Sequence, residues 1–456
     1  MMRFLVIAVF LSSFSLLSFA QHKVEGSING HINQNVTLLE YFGDKHRFID
    51  SCRTNQNGWF SFDLKKKTAP GLYSLAIGNR PLFNFIYNNE DISLKYDPRE
   101  NQLPEIIFSI ENMIYYDYIT RADKYTGKAG MLMEILRYYP DEDNYYQLTE
   151  EHFHSIQLDF RAYTERIQEE YSHTLVAHII KNDLPLIYPE HFKWENYQAY
   201  NQGHFLDDID FNDTILLNTN VLTGKAIDYL AFYSGSNMSK EIQEYYFIQA
   251  VDSILHRAMD NGKVYDFLMQ YLIEGFDMYG FDKVISHIAG NYEPANTCIN
   301  EDRKSELQKR IENLRRMAVG NVAPGIEIQR ADGSTFRMTD IDRDLILVFF
   351  WASWCPHCEA MVPELKKAYS DPELADFEVL AISIDTSRME YSNALSGLAT
   401  NWINYSDFHG WDSKAAIDYS IYATPTMFLL DSKRKILARP VSITDLRNAL
   451  INFEEP

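Results

Sequence analysis

Cysteine is scarce in this chain: four residues in 456, at Cys52, Cys298, Cys355 and Cys358. So few exclude a small scaffold stapled by disulfides. Positive charge is also short. Lys and Arg total 42 against 64 Asp and Glu, a formal net charge of −22. Such a surface repels nucleic acid and anionic lipid, so no nucleic-acid partner is expected. The 13 His are scattered with no His-x-x-x-His pair, and there is no second Cys-x-x-Cys. A zinc site needs four ligands, so neither a metal nor any other cofactor is expected. Beyond the first 20 residues no apolar run approaches the length of a membrane span. What is present is ordinary globular material: 46% hydrophobic, 23% charged and 14% aromatic. At ~150 residues per domain, the length suggests about three domains.

Residues 1–20 combine Arg3, an apolar run from Phe4 to Leu11, and Ser18-Phe19-Ala20. A positive start, a short apolar core and small residues at the −3 and −1 positions form the pattern of a cleaved secretory signal. Ser12, Ser13, Ser15 and Ser18 interrupt the stretch, which argues against a membrane anchor. Gln21 follows the cut, so no lipoprotein cysteine is expected there. The expected compartment is the periplasm, where disulfides persist.

Three patterns follow. Residues 21–100 alternate with period two, as in Trp59-Phe60-Ser61-Phe62 and Ile92-Ser93-Leu94-Lys95-Tyr96. Turn pairs such as Asn29-Gly30, Asn57-Gly58 and Pro70-Gly71 separate the runs. Short strands so spaced predict an all-β sandwich, antiparallel throughout. Residues 101–319 change to a helical period and predict an all-α domain. Val251, Ile254, Leu255, Ala258 and Met259 share one face, as do Val264, Phe267, Leu268, Tyr271 and Leu272. Leu307, Ile311 and Leu314 mark a last amphipathic helix. The many aromatics of this region read as core. Residues 320–456 predict an α/β domain, entered through a linker at Gly320–Gly325. Leu345–Phe350 and Glu378–Ile384 are continuous apolar runs, as in strands buried on both faces. Met427–Leu430 and Lys435–Ala438 predict a hairpin, and Asp445–Phe453 a closing helix.

Trp351-Ala352-Ser353-Trp354-Cys355-Pro356-His357-Cys358 follows the first buried strand and opens a helix. In that context Cys-x-x-Cys reads as a redox pair. Cys355 would sit at the positive end of the helix dipole, among unpaired backbone N–H groups, which favours its thiolate. Pro356 suits the first turn, where its missing donor costs nothing. Cys358 lies one turn in, less exposed. Cys355 is therefore expected to attack or be attacked, and Cys358 to resolve the mixed disulfide.

A second motif, Ala423-Thr424-Pro425-Thr426, stands before the hairpin. The whole order of strand, Trp-Cys-x-x-Cys, helix with Pro363, strand, Thr-Pro-Thr, hairpin and helix resembles the thioredoxin fold. The Val322-Ala323-Pro324 and Trp-Ala-Ser-Trp-Cys segments resemble the TlpA/ResA branch of extracytoplasmic thiol–disulfide oxidoreductases. The resemblance implies that Pro425 is cis and faces the cysteines. It implies that Thr424 offers its backbone to an extended substrate, and that Pro363 only shapes the helix. Trp354 is expected to shield the apolar rim. The resemblance covers residues 320–455. Residues 21–100, with Asn57-Gly58-Trp59-Phe60, resemble a β-domain of unknown function fused to such enzymes in Bacteroidota. The middle region, with Leu216-Leu217-Asn218-Thr219, resembles the helical domain of the same fusions.

Two positions depart from the family. The buried acid that thioredoxins carry six residues before the first cysteine is Phe349 here. The Glu that many TlpA/ResA relatives place three residues after the second cysteine is Met361. The proton acceptor for Cys358 is left unassigned; Glu359 and Glu364 read as a solvated helix face. Pro356-His357 matches the dipeptide of the oxidant DsbA. A donor or positive charge at His357 would stabilise the thiolate and make the disulfide more oxidising.

The function expected is thiol–disulfide exchange with protein thiols and disulfides of the cell envelope, aided by a redox partner the sequence does not name. The alternative is an envelope binding protein with an accessory redox domain. A thiol peroxidase fits poorly, because Ala352-Ser353-Trp354 replaces the peroxidatic Thr-x-x context before Cys355. Cys52 reads as a small buried residue, and Cys298 is left open.

Overall fold

The computed structural model describes residues 22–64, 68–78, 80–99, 103–235, 238–295, 301–329 and 334–453, without the side chains of 301–306. The expected signal segment and Cys298 lie outside the described residues. By packing, the chain divides into two compact units, Met1–Lys225 and Ala226–Pro456.

The first unit opens on eight strands: β1 (His22–Ile28), β2 (Asn35–Phe42), β3 (Lys45–Arg53), β4 (Trp59–Leu64), β5 (Gly71–Ile77), β6 (Arg80–Tyr87), β7 (Ile92–Tyr96) and β8 (Glu105–Phe108). They form two four-stranded sheets in the orders β4-β1-β7-β8 and β3-β2-β5-β6. The period-two pattern is realised literally in β4, where Phe60, Phe62 and Leu64 point inward and their neighbours outward. These side chains meet Val24, Ile28 and Leu94 of the same sheet, and Val36, Leu38, Leu75 and Phe85 of the other. At ~1.5–3 kcal/mol per large side chain removed from water, this core holds the sandwich together. Gly58, with φ of 72°, turns the chain into β4 where a Cβ would lie 2.3 Å from the Ile28 carbonyl oxygen.

The sandwich is not antiparallel throughout: β1 and β7 run parallel, Val24 opposite Ile92. Parallel neighbours need a long crossover, and β2, β5 and β6, lying in the second sheet, provide it. The sheet also continues past residue 100 through β8, which pairs with β7.

Helices α1 (Ile110–Tyr138), α2 (Asn144–Glu170), α3 (Leu175–Asp183) and α4 (Tyr197–His204) follow. Ser109 caps α1 by accepting from the Asn112 N–H at 3.0 Å. Buried Asn112 then pairs with both the N–H and the carbonyl of Ile86, each at 2.7 Å, and so ties α1 to β6. Buried Glu111 accepts from the N–H groups of Leu175 (2.9 Å) and Val176 (2.7 Å) at the start of α3. The expectation that the aromatics are core holds in part: Tyr125 stacks on Phe160 with ring centres 4.5 Å apart, while Tyr138, Tyr139 and Tyr145 are exposed.

Helix α5 (Val221–Ala231) spans the division between the units. The second unit continues with α6 (Lys240–Ala258), α7 (Gly262–Met278), α8 (Asp282–Asn291) and α9 (Glu301–Arg316). Val251, Ile254, Leu255 and Ala258 are buried, but Met259 is exposed because α6 ends one residue before it. On α7 the buried stripe runs through Val264, Leu268, Leu272 and Phe276. Phe267 and Tyr271 are only half-buried and stack on each other.

The remaining elements are β9 (Glu327–Gln329), β10 (Thr335–Arg337), β11 (Leu345–Trp351), α10 (Pro356–Tyr369), β12 (Phe377–Ser383), α11 (Arg388–Leu398), β13 (Ile403–Tyr405), α12 (Lys414–Asp418), β14 (Thr426–Asp431), β15 (Ile436–Ala438) and α13 (Ile443–Ile451). Five of these strands make one sheet in the order β13-β12-β11-β14-β15. β11 and β12 are parallel, while β14 is antiparallel to β11. Every residue of β11 is buried, as its unbroken apolar run requires. Gly320–Gly325 is not a free linker. Gly320 N–H and Ala323 N–H donate to Ile436 and Arg434 carbonyls at 2.8 Å each, so the segment lies against the β14–β15 hairpin.

The helices preceding this domain are tied to it by charge. Arg439, just past β15, donates to Asp282 at 3.0 Å and to Asp277 at 3.1 Å. The Arg310 guanidinium lies 4.9 Å above the Tyr422 ring.

Candidate active site

The sheet delivers the site. β11 ends at Trp351, the chain turns, and Cys355 becomes the N-cap of α10. Its Sγ accepts from the Cys358 N–H at 3.3 Å, one of the donors a helix start leaves unpaired. Pro356 occupies the first turn, as expected, and Pro363 lies inside the helix. Both thiols are free and inward: Cys355 is 5% exposed and Cys358 0%.

The two sulfurs differ electrostatically. Burial pushes the Cys355 thiol up, but hydrogen bonds with Cys358 and Thr424 and with the backbone of Cys358 and His357 outweigh it, so it lies below its ordinary value. Burial pushes Cys358 up to about 12, reinforced by its hydrogen bond with Cys355. One thiol is therefore set to ionise and its neighbour to stay protonated.

The Thr424–Pro425 peptide bond is cis. The second motif faces the first: the Cys355 thiol donates to the Thr424 carbonyl oxygen at 3.3 Å. Thr426 braces this turn by donating to the Ala423 carbonyl at 2.8 Å. Trp354 is 54% exposed beside the nucleophile, and its ring meets that of Trp411 edge-on at 6.4 Å. His357 is exposed, so its contribution to Cys355 here comes through its backbone N–H. Phe349 is buried in the sheet and Met361 packs at the core's edge, so neither family acid has a substitute at its own position. Glu359 and Glu364 face solvent, and Glu364 pairs with Lys367 at 2.6 Å. Cys52 is half-buried in β3.

Sequence reasoning missed Asp385. It is fully buried, directly after the apolar run of β12 and Ile384, and its carboxylate binds Ser353 in the turn before Cys355. The available signal was an acid standing at the carboxyl end of a buried parallel strand, where α/β sheets place their sites. Trp411 was also missed, since nothing local marks it.

Residues 319–439 match the model of the AhpC/TSA family. The C-terminal domain is thioredoxin-like. Residues 22–116 match a domain of unknown function, DUF4369. A probable nucleoredoxin 3 of Oryza sativa is 29% identical over 109 residues, 23% of each chain. A protein named thiol-disulfide oxidoreductase ResA, from Oceanobacillus iheyensis, is 28% identical over 75 residues, 16% of this chain and 39% of that one. The ResA of Bacillus cereus is 23% identical over 124 residues, 27% of this chain and 70% of that one. This chain thus spans well under half the length of the first two relatives. Among solved structures, a thiol-disulfide oxidoreductase from Bacteroides fragilis is 31% identical, with 28% of this chain and 97% of that one covered and a TM-score of 0.25. A thioredoxin-like protein from Bacteroides caccae is 19% identical, covers 59% of this chain and 98% of that one, and has a TM-score of 0.43. Among the described residues, no helix is long and apolar enough to cross a membrane. No group of His, Cys, Asp and Glu among them could hold a metal ion.

Proposed function

We propose that this chain is a periplasmic thiol–disulfide oxidoreductase acting on protein thiols and disulfides of the cell envelope. The observation that carries the reading is the asymmetric pair: a helix-capping Cys355 with its thiol held low, beside a buried Cys358 with its thiol held high. In the reductive direction the Cys355 thiolate attacks one sulfur of a substrate disulfide. The new bond is a mixed disulfide, and the other substrate sulfur leaves as a thiolate that takes up a proton. Cys358 then loses its proton and attacks Cys355 Sγ. The Cys355–Cys358 disulfide forms, the substrate leaves as a dithiol, and the enzyme has given up two electrons. The oxidative direction is the reverse. Thr424 and Pro425 form the docking edge for the substrate backbone, and Trp354 covers the apolar side. The signal pattern of residues 1–20 supports the periplasmic assignment.

Cys358→Ala in the full chain tests this reading. It is expected to accumulate mixed disulfides through Cys355 that dithiothreitol releases and that Cys355→Ala abolishes. Absence of any such adduct in an oxidising extract overturns the mechanism.

A further inference from the structure

Asp385 is a fully buried carboxylate, and three donor groups of two serines converge on it. The Ser353 N–H donates to both its oxygens, at 3.2 and 3.0 Å, and the Ser353 hydroxyl to Oδ1 at 2.6 Å. The Ser383 hydroxyl donates to Oδ2 at 2.6 Å. Ser383 lies opposite Trp351 in the β11–β12 register, and the Ile384 N–H donates to the Trp351 carbonyl at 2.9 Å. Asp385 is thus fixed to the sheet on one side and to the turn on the other.

That turn has little else to define it. β11 stops at Trp351, so the Ser353 N–H has no strand partner. Within the turn the Cys355 N–H donates to the Ala352 carbonyl at 3.2 Å. Ser353 is enclosed by that bond, two residues before the nucleophile, so its position sets where Cys355 enters the helix. The same end of β12 holds the opposite wall. The Ser406 hydroxyl donates to the Ser383 carbonyl at 3.1 Å and accepts from the Phe408 N–H at 3.2 Å, in the loop that leads to Trp411.

We propose that Asp385 is the positioning residue of the nucleophile turn: by accepting the Ser353 N–H and hydroxyl it holds Cys355 Sγ where the first-turn N–H groups of α10 stabilise the thiolate. A carboxylate offers acceptor sites in several directions at once, which suits converging donors. Without it the Ser353 N–H loses its partner, the turn relaxes, and the 3.3 Å bond from Cys358 N–H to Cys355 Sγ weakens. Asp385 touches neither sulfur in this account and acts only through Ser353. The proposal rests on the redox reading above.

The test uses the full reduced chain and two readouts: the pH midpoint of Cys355 alkylation by iodoacetamide, and the thiol–disulfide equilibrium with glutathione. Asp385→Ala is expected to raise the midpoint by about one unit, a tenfold loss of thiolate at neutral pH. It is expected to shift the glutathione equilibrium toward the protein disulfide. Ser353→Ala, which keeps the N–H bond, is expected to do the same to a smaller degree and serves if Asp385→Ala does not fold. Asp385→Asn retains one acceptor for the Ser353 N–H and is expected to restore most of the midpoint. A loss of thermal stability with both readouts unchanged in Ser353→Ala and in any folded Asp385→Ala overturns the positioning role. A wild-type chain that does not exchange with glutathione at all overturns the redox reading instead.

Discussion

The Cys355 thiol donates a hydrogen bond to the Thr424 carbonyl oxygen, 3.3 Å away across 69 residues of chain. Two motifs that stand far apart in sequence therefore share one site. The helix start of α10 supplies the thiolate's donors, and the Thr-Pro turn supplies the facing edge.

The first expectation concerns pH. Only the thiolate alkylates, so reactivity rises with pH and levels off above each thiol's midpoint. Cys355, held below its ordinary value, is expected to have its midpoint below pH 9.0. Cys358, pushed up to about 12, is expected to stay unmodified in the folded chain throughout that range. Mass spectrometry of peptides after timed iodoacetamide quenches measures both. Equal labelling of the two cysteines at pH 8 contradicts the asymmetry.

The second expectation concerns redox poise. A stabilised thiolate stabilises the reduced form and makes the disulfide a stronger oxidant. Pro356-His357 matches the dipeptide of the oxidant DsbA, so the pair is expected to have a potential above the roughly −270 mV of thioredoxin. Equilibration with glutathione buffers gives the value, and a result at or below that of thioredoxin counts against it.

The third expectation lies in the first unit. Glu111 accepts the N–H groups of Leu175 and Val176 and the Asn88 amide at 2.7 Å. Glu111→Ala leaves these buried donors unpaired and is expected to cost about 2–4 kcal/mol, on the ~1–3 kcal/mol scale of a single unsatisfied buried group. Glu111→Gln keeps one acceptor oxygen and is expected to cost less. Urea unfolding of the full chain ranks the two; equal midpoints refute the account.

The fourth expectation concerns Arg439. Its guanidinium, 15% exposed, pairs with both Asp277 and Asp282. Removing one partner of a buried ion pair costs about 3–5 kcal/mol; without Arg439, Asp277 keeps Arg310 at 3.8 Å, while Asp282 loses its guanidinium. Arg439→Met is expected to show this loss in urea. Adding Asp277→Asn and Asp282→Asn is expected to recover part of it. Additive losses instead of recovery indicate that packing, not charge, dominates there.

The sequence by itself determined the local parts. Period-two alternation produced β4, and the unbroken apolar run Leu345–Phe350 produced a strand buried on both faces. The spacing of Cys355 and Cys358 after that run placed the pair at a helix start, because such patterns follow from near-neighbour geometry alone. Tertiary structure decided the rest. The parallel pairing of β1 with β7 depends on a crossover through the other sheet, which no local period records. Gly320–Gly325 has the composition of a linker, and only the exposed edge of the β14–β15 hairpin turns it into a paired segment. Met259 keeps the helical phase but falls past the end of α6. Asp385 looks like any acid after a strand. It reaches Ser353 only because β11 and β12 lie side by side and end at the same level, so that long-range register, not spacing, brings the carboxylate under the nucleophile turn.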